Sequence, residues 1–222
     1  MKSSPTTGTD FDWIAPVYDA LTFLIFGRKL HQAQLVHLGQ IKAGAHVLIV
    51  GGGTGRLLEA VLAHNPAGSG QPPLSRILYL ESSGKMLARA SQRMIRKAQS
   101  GTVEFRLGDQ TTLRSDERFD VIMTPYVLDL FTESTLKNSL ISRLRSALKP
   151  GGCWIVTDFV RTNVWWQQAL VWAMIRFFRL TANIETRRLA DWQRLLAEAR
   201  LKLQTRERRV AGMVTAEVWV DE

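Results

Sequence analysis

Apolar residues run unbroken through Val47-Leu48-Ile49-Val50 and stop at Gly51-Gly52-Gly53-Thr54-Gly55. A run of that length suits a strand covered on both faces, as in a parallel sheet. Arg56-Leu57-Leu58-Glu59-Ala60-Val61-Leu62 then has the spacing of a helix start. Similar runs recur at Ile77-Leu78-Tyr79-Leu80, which ends at Glu81, and at Phe119-Asp120-Val121-Ile122-Met123. Val103-Glu104-Phe105-Arg106-Leu107 alternates, as a strand does with one face more open. Leu144 to Leu148 closes a helix, and Lys149-Pro150-Gly151-Gly152 turns into a fifth strand over Cys153 to Phe159. Val164 to Leu180 reads as a helix. At about 100° per residue, Gln168, Arg176 and Arg179 fall within about 80° of one another beside Trp172, and the remaining face is apolar, with Trp165, Trp166, Phe177 and Phe178. Arg187 to Arg200 is a second, amphipathic helix through Leu189, Trp192, Leu195, Leu196 and Ala199. Leu201-Lys202-Leu203 and Val214 to Val220 close the chain as strands. Strand and helix in alternation predict an α/β fold.

Periodicity is less informative elsewhere. Pro16 interrupts it near the start, and His64 to Ser75, rich in Pro, Gly and Ser, predicts a loop. The 222 residues suit one domain with a sizeable core, and 45% hydrophobic with 22% charged residues is the balance of a globular chain. The single cysteine, Cys153, lies in an apolar strand, where it reads as core; neither a disulfide, nor metal spacing, nor redox spacing is available to it. His37, His46 and His64 read as surface residues. No apolar stretch follows Lys2, so no secretory signal is expected, and no apolar run is long enough to span a membrane. The expected location is the cytoplasm.

The net charge is +9 and the pI about 10.2. Arg176, Arg179, Arg187, Arg188, Arg194, Arg200, Lys202, Arg206, Arg208 and Arg209 crowd the last third. Such charge suits a solvated basic surface, or anionic lipid headgroups beside an aromatic helix. No aromatic-and-glycine RNA motif accompanies it, so nucleic acid is not expected as a partner.

The chemistry lies in the glycine loop. Glycines let backbone approach a ligand, and the helix that follows presents free N–H groups. The dinucleotide fingerprint G-x-G-x-x-G fails, because its third glycine would fall at Arg56, and no Gly-Lys-Ser/Thr follows to make a P-loop. The spacing is G-x-G-x-G, which resembles the first motif of the class I S-adenosylmethionine (SAM) dependent methyltransferases. Further segments extend the resemblance over roughly residues 11 to 160. Glu81-Ser82-Ser83-Gly84-Lys85-Met86-Leu87 is similar to the family's D-x-S-x-x-M-L, with Glu for Asp. Gly108-Asp109-Gln110 follows the third strand, Thr124-Pro125-Tyr126 the fourth, and Leu-Lys-Pro-Gly-Gly precedes the fifth. Phe11 to Asp19, with Tyr18-Asp19 ahead of Phe26-Gly27, resembles the entry segment of the ubiquinone/menaquinone biosynthesis methyltransferases.

That resemblance implies a Rossmann-like, doubly wound, seven-stranded sheet with an antiparallel last strand. One domain would comprise an N-terminal helical lid (1–40), a SAM-binding core (41–160), a helical substrate cover (161–200) and the last strands (201–222). The cofactor would touch Tyr18 on the lid, Gly51, Gly52, Gly53 and Gly55 in the loop, and Glu81 and Ser82 at the ribose. Met86, Asp109 and Gln110 would lie around the adenine, with Thr124 and Pro125 beside the methyl donor. No metal is implied, and no residue has a spacing that marks it as catalytic, Tyr18, His31, Tyr126 and Asp129 included. Two positions depart from the family pattern: Ile49 stands where an acidic residue is frequent, and Gly52 where Cys or Ala is frequent. The implied function is methyl transfer to a small, apolar acceptor such as a quinone precursor, lipid or metabolite. A SAM-binding regulator without transfer activity is the alternative. The helix from Val164 stays open between core, pocket wall with Trp165, Trp166, Phe177 or Phe178 near the methyl group, and membrane contact.

Overall fold

A computed structural model describes residues 28–64, 74–96, 103–181, 186 and 188–221. Seven strands form one sheet in the order β3-β2-β1-β4-β5-β7-β6. They are β1 (His46–Val50), β2 (Arg76–Glu81), β3 (Val103–Leu107), β4 (Phe119–Pro125), β5 (Leu148–Phe159), β6 (Leu201–Arg209) and β7 (Val214–Asp221). The first five run parallel, and β7 is antiparallel to both β5 and β6. The main helices are α1 (Lys29–Gln34), α2 (Arg56–His64), α3 (Gly84–Arg96), α4 (Ser142–Ala147), α5 (Trp165–Thr181) and α6 (Trp192–Glu198), with shorter helical turns between them.

The pleat divides each parallel strand between two cores. Val47 and Ile49 of β1, with Ile77 and Tyr79 of β2, pack on Leu57, Leu58 and Val61 of α2 and on Ala90 and Met94 of α3. Leu48, Val50, Leu78 and Leu80 face the other way, onto Leu140, Leu144, Trp154, Trp192 and Leu196. Burial on both faces is why these strands read as continuous apolar runs. A third cluster joins Leu30 and Ala33 of α1, Phe159 at the end of β5, Val171 of α5, Leu189, Met213 and Val214.

Three elements differ from expectation. The fifth strand starts at Leu148 and carries Lys149-Pro150-Gly151-Gly152 within it, because Leu148 pairs with Phe119 across an irregularity in the β4–β5 register. β6 extends to Arg209, since its outer edge is open and alternate residues need no apolar partner. The helix expected from Arg187 starts at Trp192, where the Asp191 carboxylate accepts from Arg194 N and caps it. His37 is also buried rather than on the surface. Its Nε2 donates to Ala216 O at 3.0 Å, which satisfies both groups in the interior. The N-terminal segment to residue 27, including Tyr18, lies outside the described residues.

Candidate active site

β1 and β4 are neighbours, yet the chain leaves β1 toward β2 on one side and leaves β4 toward β5 on the other. A crevice opens at the carboxyl ends of strands where the order reverses in this way. The glycine loop lies there. Gly51, Gly53 and Gly55 have φ of +68°, +64° and +84°. Gly51 N donates to Leu80 O at 2.8 Å, holding the loop against the end of β2. Space as well as torsion demands glycine: a Cβ on Gly55 would stand 2.9 Å from the Ala90 Cβ of α3. A Cβ on Gly52 would stand 2.5 Å from the Tyr79 ring. The Tyr79 hydroxyl donates to Gly53 O at 2.8 Å. Tyr79 thus supplies a side-chain bond to the loop from β2, where the β1 residue in register with it, Ile49, can supply none.

Glu81 ends β2 and is buried. Its Oε2 accepts from Gly53 N at 2.9 Å and its Oε1 from Ser83 N at 2.9 Å. Burial pushes its pKa up, while the backbone and Ser82 donors pull it down. A carboxylate has about four acceptor sites, and the Gly53, Ser82 and Ser83 donors hold the group at the loop, where a ribose diol would compete with Ser82 for it. Ser83 Oγ accepts from Met86 N at 3.2 Å and starts α3, which brings the Met86 sulfur 3.9 Å from where a Gly53 Cβ would be. Gly108 N donates to Glu81 O at 3.0 Å, drawing Asp109 to the same rim. Asp109 is exposed, and its Oδ1 accepts from Thr111 N and Oγ1. These residues form a cradle of glycine backbone, acid and thioether that fits a SAM nucleoside.

Other expected contacts are turned differently. The Gln110 side chain is buried and donates to Ser139 Oγ at 3.0 Å. The Thr124 hydroxyl accepts from Trp154 Nε1 at 2.9 Å. Pro125 is buried at the end of β4. Next to it, Tyr126 has φ +55°, a strained value for a bulky residue. Its hydroxyl donates to Leu30 O at 2.8 Å and its ring lies 5.6 Å from that of Phe159. Val127, one residue on, is 2.5 Å from where a Gly51 Cβ would be.

Sequence reasoning missed an acid pair here. Asp158, fully buried at the end of β5, accepts from Val127 N at 3.1 Å, Leu128 N at 2.7 Å and Phe159 N at 2.7 Å. Asp129 is hydrogen-bonded to it, and Asp129 Oδ1 is closed from solvent without a partner. Desolvation raises both, Asp129 to about 6. The only sequence signal was a lone Asp in the apolar run Val127-Leu128-Asp129-Leu130. Cys153, by contrast, is an ordinary half-buried thiol, pushed up to about 11 by burial.

On α5, Trp165, Trp166 and Trp172 are 77%, 45% and 61% exposed, and Arg176 stacks over Trp172 at 5.6 Å. The side chains of Phe177 and Phe178 lie outside the described residues.

The sequence from 48 to 154 matches a family described as a methyltransferase domain. A ubiquinone/menaquinone biosynthesis C-methyltransferase, UbiE, from Pseudomonas fluorescens (strain Pf0-1) is 30% identical over 193 residues, covering 85% of this chain and 72% of the relative. The N-methyltransferase NodS from Bradyrhizobium japonicum WM9, solved with S-adenosyl-L-homocysteine (SAH), shares the fold at 19% identity. It aligns with a TM-score of 0.63 over 88% of this chain and 87% of that one. The mitomycin 7-O-methyltransferase MmcR aligns with a TM-score of 0.67 at 20% identity over 96% of this chain, which spans 61% of that longer one. With the glycine cradle, the acid at the tip of β2 and these relatives together, the chain belongs to the class I SAM-dependent methyltransferase family.

Proposed function

We propose that this methyltransferase acts on a small, largely apolar acceptor that enters over the carboxyl ends of β4 and β5. When bound, SAM supplies a methyl group already activated by its sulfonium. The protein's work is alignment and exclusion of water. Gly51, Gly52, Gly53 and Gly55 pass under the methionine portion, Glu81 with Ser82 takes the ribose hydroxyls, and Met86 and Asp109 flank the adenine. The observation that supports an apolar acceptor is the third apolar cluster, in which Phe159, Val171 and Leu30 pack with half-buried Tyr126 at the carboxyl ends of β4 and β5. Relatives named for ubiquinone and menaquinone biosynthesis support an apolar acceptor such as a quinone precursor.

The outward face of α5 supports a second element. Trp165, Trp166 and Trp172 lie in solvent, with Arg176 stacked over Trp172, on a chain of net charge +9. Interfacial aromatic rings with basic residues suit contact with an anionic lipid surface, from which an apolar acceptor could be drawn. Among the described residues no helix is long and apolar enough to cross a membrane. A SAM-binding regulator without transfer is disfavoured by Glu81 and Asp109 at the cradle rim.

The test incubates the protein with methyl-labelled SAM and bacterial lipid extract. Label in the organic phase together with SAH formation is expected. Label confined to water-soluble products would overturn the apolar acceptor, and the absence of any SAH formation would restore the regulator.

A further inference from the structure

Three backbone N–H groups converge on Asp158, and that suffices to explain its burial: it ties the turn after β4 to the end of β5. Nothing of the kind explains Asp129. Its Oδ1 is enclosed and accepts no hydrogen bond, an arrangement that costs stability. Val127 and Leu128 before it belong to an apolar core cluster, against which Phe131 also packs. The titratable group bonded to it is Asp158 from β5, while the nearby Tyr126 hydroxyl is directed to Leu30 O. Among the described residues no Lys, Arg or His contributes to its shift.

Position gives the pair a use. Val127 packs at the start of the glycine loop at Gly51, so the turn carrying Asp129 lies beside that end of the loop. Two carboxyls in contact in apolar surroundings cannot both ionise, and they titrate as one unit. Desolvation raises both carboxyls, and the charge of Asp129 raises Asp158 further, so the pair keeps a proton to higher pH than a free carboxylate would.

We propose that the Asp129–Asp158 pair is the proton acceptor of the methyl transfer, with Asp129 facing the acceptor and Asp158 anchoring it. The inference rests on the methyltransferase reading above. The acceptor atom attacks the methyl carbon, the carbon–sulfur bond breaks with its electron pair going to sulfur, and the acceptor's own proton passes to the pair. The substrate class is thereby narrowed to molecules bearing a removable proton on the attacking atom: a hydroxyl, an amine N–H or an acidified C–H.

The test needs no identified acceptor. Sinefungin is a SAM analogue with an ammonium-bearing carbon in place of the methylsulfonium, and SAH has no charge there. A negative pair beside the transfer point favours sinefungin over SAH. Calorimetry at pH 8 should show this preference falling roughly tenfold or more in Asp129→Asn, with SAH affinity unchanged. In the unaltered protein the preference should fall likewise between pH 8 and pH 5, as the pair takes its second proton. A preference unchanged in Asp129→Asn overturns the proposal. Should that variant fail to fold, a preference that stays flat from pH 8 to pH 5 in the unaltered protein overturns it instead. Failure of the unaltered protein to bind SAH at all would overturn the methyltransferase reading itself, a separate and distinguishable result.

Discussion

Tyr79 and Gly52 share one space: the ring fills what a side chain on Gly52 would need, with 2.5 Å between the ring and the site of a Cβ. The same ring bonds Gly53 O through its hydroxyl. A large residue on β2 and none on the loop are therefore one solution, set by the register that places Tyr79 beside Ile49.

Gly52→Ala should cost about 1–3 kcal/mol of stability, the usual range for overpacking, and weaken SAH binding by displacing the loop. Tyr79→Phe should cost about 1 kcal/mol through the lost hydrogen bond. Urea denaturation of single and double variants checks the pairing. In a Tyr79→Leu background the alanine at 52 should cost measurably less, by about 0.5 kcal/mol or more of coupling. Additive costs would mean that the two residues do not compete.

Glu81→Ala should leave the fold intact and weaken SAH binding roughly ten- to a thousandfold, since two charge-assisted bonds worth about 1.5–3 kcal/mol each are lost without strict additivity. Asp109→Ala, at an exposed position where water can substitute, should have a smaller effect of the same kind. An unchanged dissociation constant for Glu81→Ala would reduce that residue to a brace for Gly53 and Ser83.

Stability should fall on acidification through a site remote from the crevice. The Glu117 side chain is buried, with its Oε1 2.6 Å from Arg76 and 2.8 Å from Arg106. These guanidiniums hold it well below the usual carboxylate range. A carboxyl depressed by folding contributes stability above its unfolded value near 4.5, and loses it as pH drops below that. Denaturation midpoints measured from pH 7 to pH 3 should decline, and Glu117→Gln should start lower at pH 7 and decline less. Parallel curves for the two proteins would assign the acid sensitivity elsewhere.

Two faces of α5 should respond in opposite ways. Val171 is buried against Phe159 and Val214, so Val171→Ala should cost on the order of 1–3 kcal/mol. Trp165 and Trp172 are in solvent, so Trp165→Ser with Trp172→Ser should leave the melting temperature and SAH affinity nearly unchanged. Sedimentation with anionic phosphatidylglycerol vesicles should nevertheless drop. Vesicle binding equal to that of the unaltered chain would remove lipid contact from the account.

The sequence disclosed what depends on local order. Strands covered on both faces announced themselves as apolar runs, and the spacing of Gly51 to Gly55 marked a ligand loop, with Glu81 added to it through the family resemblance. Side-chain direction was less legible. Gln110 and Thr124 stand at the expected strand ends, yet each is drawn to a partner far along the chain, Ser139 and Trp154. The Asp129–Asp158 contact joins residues 29 positions apart through a strand register that no short pattern encodes. The sequence left the helix from Val164 open between core, pocket wall and membrane contact; Val171 packs it on the third cluster while Trp165 stays in solvent.

The position of β7 has a consequence for synthesis. It pairs with β5 along Cys153 to Phe159 and with β6 along Leu201 to Arg209, so the last strand of the sequence occupies an interior place. Until Val214–Asp221 has left the ribosome, β5 presents an unpaired edge and β6 has no neighbour. The nascent chain must carry the finished half of its sheet, glycine cradle included, beside an open gap. Exposed strand edges invite pairing with other chains, so a pause or cut shortly before residue 214 would yield a product prone to aggregate rather than a smaller enzyme.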